Sequence, residues 1–200
     1  NLLKNVFVDA DATVADGAAY WTSPLPRGIR PNLEKYKGAL IEYKDKIIRV
    51  NCIYGVIFDR YGKMHWDSEY QRIPGLPKRR IIEVLTRQAK MEYLAYLEER
   101  NIPFLFGGTN DLDLRVVLQK LRHDYDIETM VLRGGATLNA AFFSAGLVDE
   151  ISLVVAPSVN GRRGSLGIAD TEGSVPFTQF YRLKQAEPIG CNSLLLRYIR

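Results

Sequence analysis

Between residues 53 and 156 the chain alternates short apolar runs with stretches of helical periodicity, and this alternation is the tightest constraint on its fold. The β-branched run at residues 53–58 closes on Asp59-Arg60-Tyr61-Gly62, a turn with glycine in its favoured last place. Strand-like runs follow at residues 80–85, 102–106, 129–132 and 151–156. Between them Met91, Leu94, Ala95 and Leu97 recur at helical spacing, with Glu92, Glu98, Glu99 and Arg100 opposite. Asp113 stands where a side chain caps a helix striped by Val117, Leu118 and Leu121, and residues 137–145 read as a helix stopped by Gly146. Repeats of this kind build parallel sheets, because a parallel pair of strands needs a long crossover connection. The tail differs. Runs at 180–186 and 193–199 flank a segment with Pro188 and Gly190 and read as an antiparallel hairpin. Upstream, residues 6–12 read as a first strand ahead of the turn pair Asp16-Gly17, residues 24–31 as a proline-rich loop and residues 38–41 as a strand. The expectation is one α/β domain over residues 1–200, in three layers, with a mainly parallel central sheet and an antiparallel C-terminal hairpin.

Composition narrows the function classes. With 46% apolar and 25% charged residues the chain can bury a core without a disulfide or metal. The formal charge of +4 is scattered, with local clusters at Lys78-Arg79-Arg80 and Arg162-Arg163. No face interleaves basic and aromatic residues, so no nucleic-acid partner is expected; a few cations could still meet a phosphorylated small molecule. Cys52 and Cys191 fall in no CxxC spacing and only His65 and His123 supply imidazole, which argues against a metal site. The cysteine usage fits a reducing compartment. No run approaches the roughly 18 apolar residues of a membrane helix, and no basic-then-apolar leader opens the chain. A cytoplasmic protein without membrane contact is expected.

The chemistry concentrates at Met130-Val131-Leu132-Arg133-Gly134-Gly135-Ala136-Thr137-Leu138, where a strand runs through two glycines directly into a helix. The first amides of a helix have no partner within it and carry about half a positive charge. Two residues without Cβ let a phosphate approach that backbone closely, and Thr137 adds a hydroxyl. A Gly-Gly pair also serves as a plain tight turn. Neither GxGxxG nor GxxxxGK[ST] occurs.

These residues, with Asn139, Phe142, Ala145-Gly146-Leu147-Val148-Asp149-Glu150 and Leu153-Val154-Val155-Ala156-Pro157, resemble the reductase domain of the riboflavin-biosynthesis deaminase–reductases, a dihydrofolate-reductase-like family. The resemblance extends back through Val56-Ile57-Phe58-Asp59-Arg60-Tyr61-Gly62-Lys63, Ile82-Glu83-Val84-Leu85-Thr86, Tyr93-Leu94-Ala95-Tyr96-Leu97 and Asp111-Leu112-Asp113-Leu114. It implies an NADPH-dependent oxidoreductase that transfers hydride to a small, polar, heterocyclic substrate of pyrimidine or pterin type, working as a homodimer. Gly134, Gly135, Ala136, Thr137 and Leu138 would hold the cofactor phosphates. Asp59 and Arg60 would meet the adenosine ribose and its 2′-phosphate, although a solvated turn arginine fits the sequence as well. Gly107 and Gly108 would let adenine approach, unless they are plain loop glycines. Asp16 would lie beside nicotinamide and substrate as the one candidate proton donor; Asp-Gly is equally a common turn.

Two departures bear on the substrate. Arg133 stands where the family usually has Glu, so the local charge is reversed and an anionic substrate group is expected there. The family also places a helix, a second strand and a Gly-x-x-Thr cofactor loop between the positions of Asp16 and Asp59; residues 38–41 could be that strand, but Glu42-Tyr43-Lys44 does not supply the loop. The alternative reading is a catalytically inactive dinucleotide-binding protein of the same fold.

Overall fold

A computed structural model describes residues 10–16, 33–34, 43–73, 75–161, 164, 167–171 and 177–200. The described chain forms two compact units, one of residues 10–134 and one from residue 135 onward.

The first unit is built on a six-stranded sheet of β1 (Ala12–Asp16), β2 (Tyr54–Phe58), β3 (Tyr70–Gln71), β4 (Arg79–Thr86), β5 (Phe104–Gly108) and β6 (Met130–Leu132). Strands β6, β1, β2, β4 and β5 lie side by side in that order, all parallel. The two-residue β3 pairs antiparallel with the start of β4. All eight residues of β4 are buried, as expected for a strand paired along both edges. Helix α1 (Met91–Glu99) buries Tyr93, Leu94, Ala95, Tyr96 and Leu97 in one core with Ile57, Ile81, Leu85, Ile102, Phe104 and Phe106. Two tyrosines thus join the expected apolar stripe. Helix α2 (Leu114–Tyr125) is capped as its sequence predicts: the Asp113 carboxylate accepts from the Arg115 and Val116 amides. At its other end the Arg49 guanidinium donates to the carbonyls of His123 (2.8 Å) and Asp124, a cation placed where the helix dipole favours one.

The first strand lies further along than expected. Residues 6–9 fall outside the described residues, and β1 begins at Ala12 and runs to Asp16. Pairing sets this register: Ala12, Thr13 and Val14 lie between Tyr54, Gly55 and Val56 on one side and Met130, Val131 and Leu132 on the other. The expected loop at 24–31 and strand at 38–41 also lie outside the described residues.

The second unit contains helix α3 (Ala136–Ser144) and the strands β7 (Glu150–Val155), β8 (Arg182–Ile189) and β9 (Ser193–Ile199). The hairpin is present, but β7 is not part of the parallel sheet. It pairs antiparallel with β9, giving a second sheet in the order β7-β9-β8. Local pattern cannot separate these cases, since a short apolar run satisfies either ladder. The connection is also tighter than the sequence suggested: Glu187, Pro188 and Ile189 are paired, leaving Gly190, Cys191 and Asn192 as the turn. Cys191 and Asn192 take φ of 64° and 54°. Pro188 is tolerated because β8 is an edge strand. Both cysteines are free thiols. Among the described residues no helix is long and apolar enough to cross a membrane, and no cluster of three His, Cys, Asp or Glu could hold a metal.

Candidate functional site

In an open parallel sheet, ligands gather outside the carboxyl ends of the strands, at the point where strand order reverses. Here the chain steps from β1 to β2, β4 and β5 in one direction, and β6 then returns to the far side of β1. The reversal therefore lies between β1 and β6. The β1 end there is Asp16, whose backbone pairs with Phe58. The β6 end is Leu132, after which the Arg133 amide donates to the Val14 carbonyl (2.8 Å). The sheet thus brings the backbones of Asp16 and Arg133, separated by over a hundred positions in sequence, to one edge.

Gly134 follows with φ of 82°, a left-handed conformation that favours glycine. Gly135 stands at the N-cap of α3 with ψ of 177° and no side-chain hydrogen bond caps that helix. A Cβ built on Gly135 meets nothing within 4 Å among the described residues. Thr137 is exposed, whereas the Leu138 side chain is buried at 9% exposure, leaving its backbone amide as its polar contribution. Asn139 holds the neighbouring segment by donating to the Ile168 carbonyl (2.6 Å), and the Asp170 amide donates to the Ala136 carbonyl (3.1 Å). The mouth of α3 thus opens on a glycine N-cap that supplies no side-chain cap, with no described residue within 4 Å of where its Cβ would stand.

Within the first unit, the carboxyl ends of β2, β4 and β5 are laced together. The Arg60 carbonyl accepts from the Thr86 amide (3.1 Å) and hydroxyl (2.8 Å), and the Arg87 amide donates to the Gly108 carbonyl (3.1 Å). Arg60 points outward, 42% exposed, and pairs with Asp111 at 2.8 Å. An ion pair that exposed contributes little stability, so its value lies in aiming the guanidinium. Gly107 and Gly108 sit against packed neighbours. A Cβ on Gly107 would fall 2.6 Å from Val117 Cγ2, and one on Gly108 would fall 2.0 Å from the Asp111 carbonyl oxygen. Their small size lets the loop into α2 close over the strand end.

Asp59 turns inward. It is 8% exposed, and its Oδ2 accepts from the amides of Lys63 (2.6 Å) and Met64 (2.7 Å). These bonds shape the turn that presents Arg60. Behind Asp59 lies a polar cluster that the sequence reading passed over. Glu83 of β4 is fully buried, with Oε1 accepting from Trp66 Nε1 and lying 3.3 Å from the Tyr93 hydroxyl. That hydroxyl is in turn 3.5 Å from Asp59 Oδ2. Burial pushes the Asp59 carboxyl up against the lowering pull of its amide donors; burial and then the Asp59 charge push Glu83 up well beyond the usual carboxylate range. The signal was available in the sequence: a lone glutamate within Ile81-Ile82-Glu83-Val84-Leu85 breaks the apolar run of a central parallel strand.

The mainly parallel sheet joined in one chain to an antiparallel hairpin sheet defines a dihydrofolate-reductase-like fold. The model of the RibD C-terminal domain matches residues 55–195, and the chain belongs to that family. Over 100 residues it is 34% identical to the 2,5-diamino-6-ribosylamino-4(3H)-pyrimidinone 5′-phosphate reductase of Methanothermobacter thermautotrophicus, a match covering 50% of this chain and 45% of the relative. The fold is shared with a pyrimidine reductase-like protein of Corynebacterium diphtheriae, at a TM-score of 0.67 and 18% identity over 95% of this chain and 75% of that one. It is shared too with Acinetobacter baumannii RibD, at a TM-score of 0.60 and 18% identity over 95% of this chain and 46% of the other.

Proposed function

We propose that this protein is an NADPH-dependent oxidoreductase that reduces a small polar heterocycle of pyrimidine or pterin type. The observation that carries the reading is membership of the RibD C-terminal family over residues 55–195, the segment that supplies the β6–α3 junction. The donor set fits a dinucleotide: α3 starts at a glycine N-cap with no described residue within 4 Å of where its Cβ would stand, and a helix N-terminus that a phosphate can approach closely favours a diphosphate. In this reading the backbone of Gly134, Gly135, Ala136, Thr137 and Leu138 holds the phosphates. Arg60 meets the 2′-phosphate, with Asp59 shaping its turn and Gly107 and Gly108 letting the adjacent loop close. When bound, the nicotinamide supplies the hydride.

What remains for the chain is orientation, exclusion of water and a proton. Asp16, at the end of β1, is the proposed proton donor. Arg133, at the end of β6, is proposed to hold an anionic group of the substrate; the substrate named for the Methanothermobacter relative carries a 5′-phosphate. We extend the proposal to a single domain over residues 1–200, a cytoplasmic location and a homodimer. The dimer reading is supported by one face of the second sheet, where register aligns Ile151 with Tyr198 and Leu183, and Leu153 with Leu196. Leu183 is 51% exposed.

The test is calorimetric titration with NADPH and NADH, followed by loss of reduced-nicotinamide absorbance with candidate aminopyrimidine phosphates. Binding that prefers NADPH, with turnover, is expected. Binding without turnover of any candidate would favour the inactive dinucleotide-binding alternative, and no heat with either coenzyme would refute the reading.

A further inference from the structure

Glu83 has an environment that permits only one charge. It sits in β4 between Ile57 of β2 and Phe104 of β5, with no exposed surface. Among the described residues no cation pairs with it and its Oε2 has no hydrogen-bond partner. The groups facing it are Trp66 Nε1, which donates to Oε1, and the Tyr93 hydroxyl of α1. Beyond them lie Asp59 on the β2 turn and Tyr96 on α1, which exchanges hydrogen bonds with the Trp66 backbone. Arg100 covers only the outer Tyr96 ring, at 4.9 Å, and His65 stacks on the same ring at 6.0 Å.

Tyr93 has one proton and two carboxyl neighbours. Two ionised carboxylates would compete for that proton, and the one that lost it would hold a buried charge with one donor fewer. Asp59 has two backbone amides aimed at Oδ2 and is the natural anion. With Asp59 as the anion, the assignment that gives each contact a donor and an acceptor has Glu83 protonated and donating to Tyr93 Oη, and Tyr93 donating to the Asp59 carboxylate.

We propose that Glu83 is a positioning residue, and that the relay from Glu83 through Tyr93 to Asp59 holds the turn of residues 59–64 in the shape that presents Arg60 to the cofactor, an inference that rests on the NADPH reading above. The turn lies directly on the relay: Gly62 has φ of 66°, and a Cβ there would fall 2.3 Å from Tyr93 Cδ1. A shift of Tyr93 therefore shifts the turn. Loss of the Glu83 proton turns the Tyr93 hydroxyl back toward Glu83, removes a donor from Asp59 and loosens the turn.

Trp66 is a built-in reporter, because its indole N–H is bonded to Glu83 and the ring is 8% exposed. The chain has two tryptophans, so a Trp21→Phe background isolates its emission. The experiment follows Trp66 emission of the cofactor-free protein and NADPH affinity by calorimetry as pH is raised stepwise through the range in which the protein stays folded, for the parent and for Glu83→Gln. The parent is expected to show an emission transition, with affinity weakening about tenfold through it, the size of an ordinary coupling between sites. Glu83→Gln should show a flat emission profile and an affinity independent of pH. Tyr93→Phe, a second variant should the first not fold, should keep the emission transition while its affinity no longer follows it. A silent parent, or a Gln variant that titrates like the parent, overturns the relay. A Glu83-dependent emission change with flat NADPH affinity in the parent overturns the positioning role. No NADPH binding by the parent at any pH defeats the functional reading and the positioning role with it, while the emission arm still decides where the proton resides.

Discussion

Replacing Gly62 by alanine tests whether the turn after β2 is seated on α1 as described. Two costs combine. At φ of 66° a side chain enters the left-handed region, worth about 1–2 kcal/mol for a residue other than glycine. The new methyl would also lie 2.3 Å from Cδ1 and 2.8 Å from Cγ of Tyr93. That ring cannot simply swing away, since Tyr93 is 2% exposed and its hydroxyl contacts both Glu83 and Asp59. Forced overpacking of this kind costs about 1–3 kcal/mol, so the total is about 2–5 kcal/mol. Gly75 provides the control. Its φ is 79° and a Cβ there meets nothing within 4 Å, so Gly75→Ala should show the backbone cost alone, about 1–2 kcal/mol. The assay is urea unfolding with equal m-values, supported by thermal scans in which each kcal/mol lowers Tm by about 2–4 °C for a chain of this size. Tyr93→Leu, which removes the ring, should make Gly62→Ala less costly in a double-mutant cycle. If Gly62→Ala loses no more stability than Gly75→Ala, the turn is not packed on Tyr93 and the reasoning fails.

Three further outcomes are expected. Asp113→Ala removes the acceptor for the Arg115 and Val116 amides and should cost about 1 kcal/mol in urea unfolding, with Asp113→Asn losing less. Arg60→Ala should weaken NADPH by roughly 10- to 100-fold, the size of a hydrogen bond to a charged group, and leave NADH nearly unchanged; equal losses for both coenzymes would remove Arg60 from the 2′-phosphate. Glu83 makes stability depend on pH with a definite sign: its folded carboxyl titrates well above its ordinary 4.5, so the folded state holds a proton that the unfolded chain has released. Its contribution is full below that value and declines as pH rises toward the folded titration, and Glu83→Gln should remove this part of the slope in unfolding measured by denaturant at successive pH values.

Much of the chain was legible because its signals are local. Asp113 caps α2, Gly146 follows α3, and the β9 limits at Ser193 and Ile199 match the run read from sequence. The strand–Gly-Gly–helix junction was legible because one stretch of nine residues carries it whole. The misplacements have a common cause. The β1 register, the sheet that β7 joins and the extent of β8 all depend on partners far away in sequence, and a short apolar run is compatible with several. At the candidate site the same limit applies to direction. The sequence placed Asp59 and Arg60 together after a strand, but their side chains part, one bonded into the turn and one aimed outward by Asp111.

By itself, then, the sequence determined the kinds of most elements from residue 53 onward, the glycine-led helix start after Arg133 and the family, because periodicity, caps and contiguous motifs act over a few residues. Only the tertiary structure decided the strand order that brings Asp16 and Arg133 to one edge, and the enclosure that buries Glu83 with no cation paired to it among the described residues. Both are sums over contacts between distant segments: hydrogen-bond pairing selects a strand's neighbours, and burial sets the charge a side chain can carry.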